Sequence, residues 1–208
     1  MKIKAILFDM DGVLVDAKEW HYEALNQALS LFGSPINRED HLNHYDGLPT
    51  SIKLKQLTMQ GFVPEELHEF INELKQTYLN QIVYNNCKPI FSKQNAMSRL
   101  KQEGYKIAVC SNSIQSSINL MMQRSNLDTY IDLILSNQDV IKPKPDPEIY
   151  VKAINSFDLI PKECLILEDN QHGLEAAWAS GANVLQIDDS RDTNYENIKA
   201  KIFEIEST

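Results

Sequence analysis

Short unbroken apolar runs punctuate the chain at residues 4–8, 106–110, 133–135, 165–167 and 183–187. Each is too short for a helix and rich in Ile, Leu or Val, which predicts strands buried on both faces. Between the later runs, apolar residues recur every three or four positions, at 116–124, 147–156 and 173–179. That period predicts helices, because it gathers the apolar side chains on one face. Strand alternating with helix predicts an α/β fold with a parallel sheet covered by helices.

One connection departs from this rhythm. The first strand ends near residue 8 and the next begins only at 106, whereas a parallel crossover needs about a dozen residues or a little more. Residues 92–103 supply the crossover helix, with Ser92 as a candidate N-cap. The surplus carries amphipathic patterns at 19–32, 50–59 and 64–83, broken at Gly33-Ser34-Pro35 and Gly61-Phe62-Val63-Pro64. The expected organisation is a core of residues 1–15 and 86–208, with a small helical domain inserted over 16–85. No internal repeat or low-complexity tract interrupts it.

Composition adds exclusions. The formal net charge is −9, from 20 Lys and Arg against 29 Asp and Glu. Such a balance disfavours a nucleic-acid partner, because the phosphate backbone repels it. It leaves room for a small phosphate ligand, since a bound cation inverts the field locally. No stretch approaches the roughly 20 apolar residues of a membrane helix. The opening apolar run is too short for a signal peptide and ends in acids. The three cysteines, Cys87, Cys110 and Cys164, are odd in number and far apart, which predicts buried reduced thiols. These features together predict a cytoplasmic protein with neither a nucleic-acid nor a membrane partner.

In open parallel sheets, ligands bind beyond the carboxyl ends of the strands. The first strand runs into Asp9-Met10-Asp11-Gly12 and the fourth into Glu168-Asp169. Carboxylates directly after buried runs are costly unless something compensates them. If the two strands are neighbours, their acids converge, and such hard oxygen ligands suit magnesium. The second strand ends in Ser111-Asn112-Ser113 before a helix. Hydroxyls and free N–H groups at a helix start form an anion site. Ahead of the next helix, prolines stiffen Lys142-Pro143-Lys144-Pro145-Asp146-Pro147 and would fix a lysine in place. Cation, hydroxyls and a held ammonium are what phosphoryl transfer requires, because that reaction depends on positioning and charge neutralisation.

These residues resemble the four motifs of the haloacid dehalogenase superfamily, in its β-phosphoglucomutase-like branch, over nearly the whole chain. The segment from Asp9 to Asp16 resembles the first motif, Ser111 the second, Lys142 the third and Glu168-Asp169 the fourth. The resemblance implies a three-layer, Rossmann-like parallel sheet ordered 5-4-1-2-3, with a helical cap inserted after the first strand. It implies that Asp9 attacks phosphorus to form an aspartyl phosphate, and that Asp11 protonates the leaving oxygen and then activates water. It further implies Mg2+ on Asp9, Asp169 and the main-chain carbonyl of Asp11, with Glu168 in or beside the ligand set. Ser111, Asn112 and Lys142 would hold the transferring phosphoryl group, leaving Lys144 solvated. The expected substrate is a small phosphorylated metabolite such as a sugar phosphate, and the expected state is a monomer.

The inserted segment departs from the mutase pattern. Where the mutases carry an arginine three residues after a cap glycine, Gly47 is followed by Thr50. Where they carry a hinge threonine, this chain has Ala17. His21 does match the mutase cap histidine, and Lys75 is a candidate cap cation. His21, Gly47, Thr50 and Lys75 are the expected substrate contacts of the cap. A magnesium-dependent phosphatase is the preferred reading. A phosphosugar mutase and a non-catalytic module of the same fold are its alternatives. A zinc cluster at Asp40, His41, His44 and Asp46 is disfavoured, as is a nucleotide-binding module, for want of any Gly-x-Gly pair.

Overall fold

In the computed structural model, which describes residues 2–207, strand β1 (Ala5–Phe8) is wholly buried and opens directly into the acidic loop. The inserted segment follows, with helices α1 (Lys18–Ser30), a single turn α2 (Arg38–Asp40), α3 (Thr50–Met59) and α4 (His68–Asn86). The chain then alternates: α5 (Phe91–Gln102), β2 (Lys106–Cys110), α6 (Gln115–Arg124), β3 (Leu133–Leu135), α7 (Glu148–Ser156), β4 (Cys164–Glu168), α8 (Gln171–Ala179), β5 (Asn183–Gln186) and α9 (Tyr195–Glu206).

The chain divides into two compact units. One comprises the chain up to Asp16 together with residues from Lys88 onward; the other is Ala17–Cys87.

In the first unit, the five strands pair in parallel in the order β3-β2-β1-β4-β5. This is the expected order read from the opposite edge. Residues pointing to one face (Ala5, Leu7, Ala108, Cys110, Cys164 and Ile166) pack with Ile149, Tyr150 and Ala153 of α7 and Ala176 and Ala177 of α8. Ile6, Phe8, Ile107, Val109, Leu165 and Leu167 alternate with them and are equally buried. Helices α5, α6 and α9 serve that other face. Burial on both faces explains why the strands read as continuous apolar runs rather than alternating ones. The three cysteines are free and buried.

Register places the loops. Phe8 pairs with Val109 of β2 and with Leu167 of β4. Asp9 therefore emerges level with Cys110 and Glu168, and its N–H is still held by the Leu167 carbonyl at 3.0 Å. β4 runs one residue further than the apolar run predicts, so Glu168 is a strand residue paired with Gln186. Two helix starts also differ from expectation. Ser92 lies inside α5, whose first turn follows Ile90. α8 is capped by Asn170, whose side chain accepts the Gly173 N–H at 3.0 Å.

In the second unit, Leu25, Ala28 and Leu29 of α1 meet Leu54 and Leu57 of α3 and Ile71 of α4, with Ile36, Tyr45 and Val63 filling the rest. The Asn26 amide brackets Ile36, accepting its N–H at 2.8 Å and donating to its carbonyl at 2.7 Å. A π-helical turn over His41–Tyr45 leads towards α3; the sequence pattern did not predict it.

Candidate active site

The loop after β1 is a tight turn. The Gly12 N–H donates to the Val15 carbonyl at 2.7 Å, and the N–H groups of Leu14 and Val15 both donate to the Met10 carbonyl at 2.9 Å. Gly12 sits at φ +87°, where a side chain would meet its own backbone. The turn sets Asp11 just above the end of β1. Its carboxylate accepts a hydrogen bond from the Ser113 hydroxyl at 3.1 Å. Ser113 belongs to the loop after β2, and its own N–H donates to the Ser111 hydroxyl oxygen at 3.0 Å. Ser111 is buried at the end of β2.

Beside this turn lies a buried ion cluster. The Lys144 ammonium donates to Asp9 Oδ1 at 2.6 Å, to Glu168 Oε1 at 2.5 Å and to the Cys110 carbonyl at 2.8 Å. A lysine has three N–H protons, and all are used. Glu168 also accepts the Tyr150 hydroxyl at 2.5 Å on the same oxygen, and the Asp169 N–H at 3.1 Å on the other. Glu168 is fully enclosed. A Cβ on Gly173 would stand 2.1 Å from its carboxylate, so the start of α8 is shaped around this side chain.

Lys144 corrects one sequence expectation. The lysine at the acids is Lys144, not Lys142. The Lys142 side chain is 71% exposed, with Asp146 its neighbour at 3.8 Å. The reason lies in how the loop is pinned. Glu148 accepts the N–H groups of Ile141 and Lys142, both at 2.9 Å. Asn112 accepts the Lys144 N–H at 3.1 Å and donates to its carbonyl at 3.3 Å. Asn137 in turn holds the Asn112 carbonyl at 2.9 Å. Lys144 is thereby turned inward. Both lysines precede a proline, so the local sequence offered two registers and no means of choosing. The sequence reading assigns no role to Ser113 or Tyr150. Ser113 belongs to the hydroxyl run that follows β2, whereas nothing near Tyr150 in sequence signals a polar role.

The electrostatics define the kind of ligand this cluster suits. Oxygens of Asp9, Glu168 and Asp169 lie within 4.8 Å of one another. Burial pushes the Asp9 carboxyl well above its usual range, and Glu168, Asp169 and Asp11 push it further, with Lys144 opposing them. Burial alone would lower the Lys144 ammonium, but Asp9 and Glu168 outweigh it and raise its pKa. One ammonium cannot neutralise this group of acids. The donors are hard carboxylate oxygens, which fits a divalent cation of the magnesium type. Asp9, Asp169 and Glu168 are the side chains placed to hold it.

In the second unit the structure brings His21 and Lys75 together, with Nζ 3.2 Å from Nδ1, and buries Lys75. Gly47 sits at φ +72° in the loop before α3, and Thr50 is the first residue of that helix. Lys53, one turn further on, is buried as well. His41 packs against the Tyr22 ring at 4.6 Å. Its burial, with Lys53 nearby, pushes the imidazole down to about 4 and keeps it neutral.

The family model for haloacid dehalogenase-like hydrolases matches residues 6–187, from the second residue of β1 to just past β5. The chain belongs to this family. Among its relatives is a phosphorylated carbohydrates phosphatase of Thermotoga maritima, 26% identical over 182 residues, spanning 86% of this chain and 82% of that protein. The pyrophosphatase PpaX of Bacillus mycoides is 24% identical over 200 residues, spanning 90% and 84%. In fold, the chain matches β-phosphoglucomutase of Clostridium difficile with a TM-score of 0.84 at 22% identity, over 99% of this chain and 100% of that one. CbbY of Rhodobacter sphaeroides, crystallised with xylulose-(1,5)bisphosphate, matches with a TM-score of 0.77 at 24% identity, over 88% and 85%. No helix among the described residues is long and apolar enough to cross a membrane.

Proposed function

We propose that this haloacid dehalogenase-like hydrolase is a phosphatase of small phosphomonoesters that works through a phosphorylated Asp9. The observation that carries the reading is the convergence of Asp9, Glu168 and Asp169 around the Lys144 ammonium, beside a separately tethered Asp11. In the first half-reaction an Asp9 carboxylate oxygen bonds to phosphorus as the bond to the ester oxygen breaks. Asp11 gives its proton to the departing alkoxide. In the second half, Asp11 takes a proton from water, whose oxygen bonds to phosphorus. The Asp9–phosphorus bond breaks and inorganic phosphate leaves. Lys144 holds the Asp9 carboxylate in place and offsets charge. Ser111 and Asn112 line the mouth of β2, where the phosphoryl oxygens would sit.

Magnesium, held by Asp9, Asp169 and the Asp11 carbonyl with Glu168 beside them, would supply the charge neutralisation that the transferring group needs. Substrate choice is assigned to the inserted unit, with His21, Gly47, Thr50 and Lys75 as the candidate contacts. The relatives' names favour a sugar phosphate or similar metabolite.

The test is phosphate release from a panel of metabolite monoesters with Mg2+, wild type against Asp9→Asn. Loss of at least about 10³-fold in a variant that melts normally is expected, since the nucleophile goes and little volume changes. Substantial residual turnover in Asp9→Asn would refute the mechanism. The His21–Lys75 pair favours a second reading, a phosphosugar mutase. Isomer formation that exceeds phosphate release when a sugar bisphosphate is added would select it.

A further inference from the structure

Lys93 is 2% exposed, yet none of the chemistry above uses it. It stands in the first turn of α5, and its ammonium donates to the Val13 carbonyl at 2.5 Å across 80 residues of sequence. Val13 lies in the turn that carries Asp11, two residues further on. Burial pushes the ammonium down to about 8, while Asp16, Asp189 and Asp169 hold it up. A methionine of similar length would fill the same space without burying a charge. Such a change relieves the desolvation of the ammonium but strips the Val13 carbonyl of this donor, so the two effects on stability oppose each other.

We infer that Lys93 is a positioning residue for Asp11. The turn from Met10 to Val15 is closed on itself by its own hydrogen bonds, so it moves as one piece. Two tethers fix that piece. Ser113 grips the Asp11 carboxylate, and Lys93 grips the backbone at Val13. Without the second tether the turn pivots about the end of β1, and the Asp11 carboxyl drifts from the leaving oxygen. Lys93 also anchors the core near both ends of the inserted segment. Val13 precedes its departure after Asp16, and Lys93 follows its return at Lys88.

This rests on the reading of Asp11 as the general acid, and the experiment separates the two. kcat/KM, which reports formation of the phosphoenzyme, is measured for glycerol 2-phosphate and for p-nitrophenyl phosphate. The alkoxide needs a proton to leave; nitrophenolate does not. Lys93→Met should lose about tenfold on the alkyl ester and twofold or less on the aryl ester, as displacement of a catalytic group by a fraction of an ångström would. Its melting temperature should stay within a few degrees of the wild type, because the relieved burial of charge offsets the lost donor to Val13. Asp11→Asn, run alongside, should show the same bias more strongly. Equal losses on both esters, or none, in Lys93→Met beside a biased Asp11→Asn would overturn the inference alone. An unbiased Asp11→Asn would overturn the acid reading and this inference with it. Should Lys93→Met fail to fold, Lys93→Gln carries the same comparison with the same outcomes.

Discussion

Two lysines two residues apart meet opposite fates, and their difference is measurable. Among the described residues, Lys144 is the cation paired with both Asp9 and Glu168, at 2.6 and 2.5 Å. Lys144→Met strands two enclosed carboxylates. Removing one partner of a buried ion pair costs about 3–5 kcal/mol. We expect a clear drop in melting temperature and loss of turnover of at least about 10²-fold. Lys142→Met removes a solvated side chain, so stability should change by no more than about 0.5 kcal/mol and turnover by about twofold. Thermal melts and kcat for the pair decide the matter. If Lys142→Met is the damaging change, the loop register described above is wrong. Tyr150 belongs to the same cluster, because its hydroxyl shares a Glu168 oxygen with Lys144.

At the level of elements, the start of α8 is built to admit an acid. Alanine normally favours a helix over glycine by about 1 kcal/mol. At Gly173 the added methyl would meet the Glu168 carboxylate at 2.1 Å, and that carboxylate is pinned by Lys144, Tyr150 and the Asp169 N–H. Gly173→Ala should therefore destabilise, by about 1–3 kcal/mol as overpacked cores do. It should also weaken cation binding by pushing Glu168 off its seat. Calorimetry of Mg2+ binding together with a melting curve checks both. A more stable variant with normal binding would show that Glu168 has room to move. The capping of α8 by Asn170 rather than Asp169 follows the same logic, since it frees the aspartate for the acidic cluster.

For the whole molecule, the acidic cluster makes stability depend on cation and pH together. The Asp9 carboxyl is raised above its ordinary 3.8 in the folded, metal-free chain. Above 3.8 the unfolded chain has released this proton while the folded one keeps it. The folded state then binds more protons, so stability falls as pH rises through that window. In chelator, the melting temperature should decline from mildly acidic pH towards neutrality to the extent that Asp9 dominates. Mg2+ should reverse the decline, by about 2.7 kcal/mol at a hundredfold excess over Kd. Scanning calorimetry across pH, with and without Mg2+, tests this. A melting temperature indifferent to the cation at neutral pH would count against the metal site.

Periodicity is a local property, and it was legible. The length of each apolar run marked a strand buried on both faces, the three-to-four spacing marked helices, and an overlong connection marked the insertion. Acids placed directly after buried runs announced the site, because such placement is costly without compensation. The partners of those acids were not legible. Whether Lys142 or Lys144 turns inward depends on Asn112 and Glu148 pinning a loop from other elements. Likewise, Ser113 reaches Asp11, Tyr150 reaches Glu168 and Lys93 reaches Val13 across 102, 18 and 80 residues. Contacts of that kind exist only once the sheet has set the register of its strands, so only the tertiary structure could decide them.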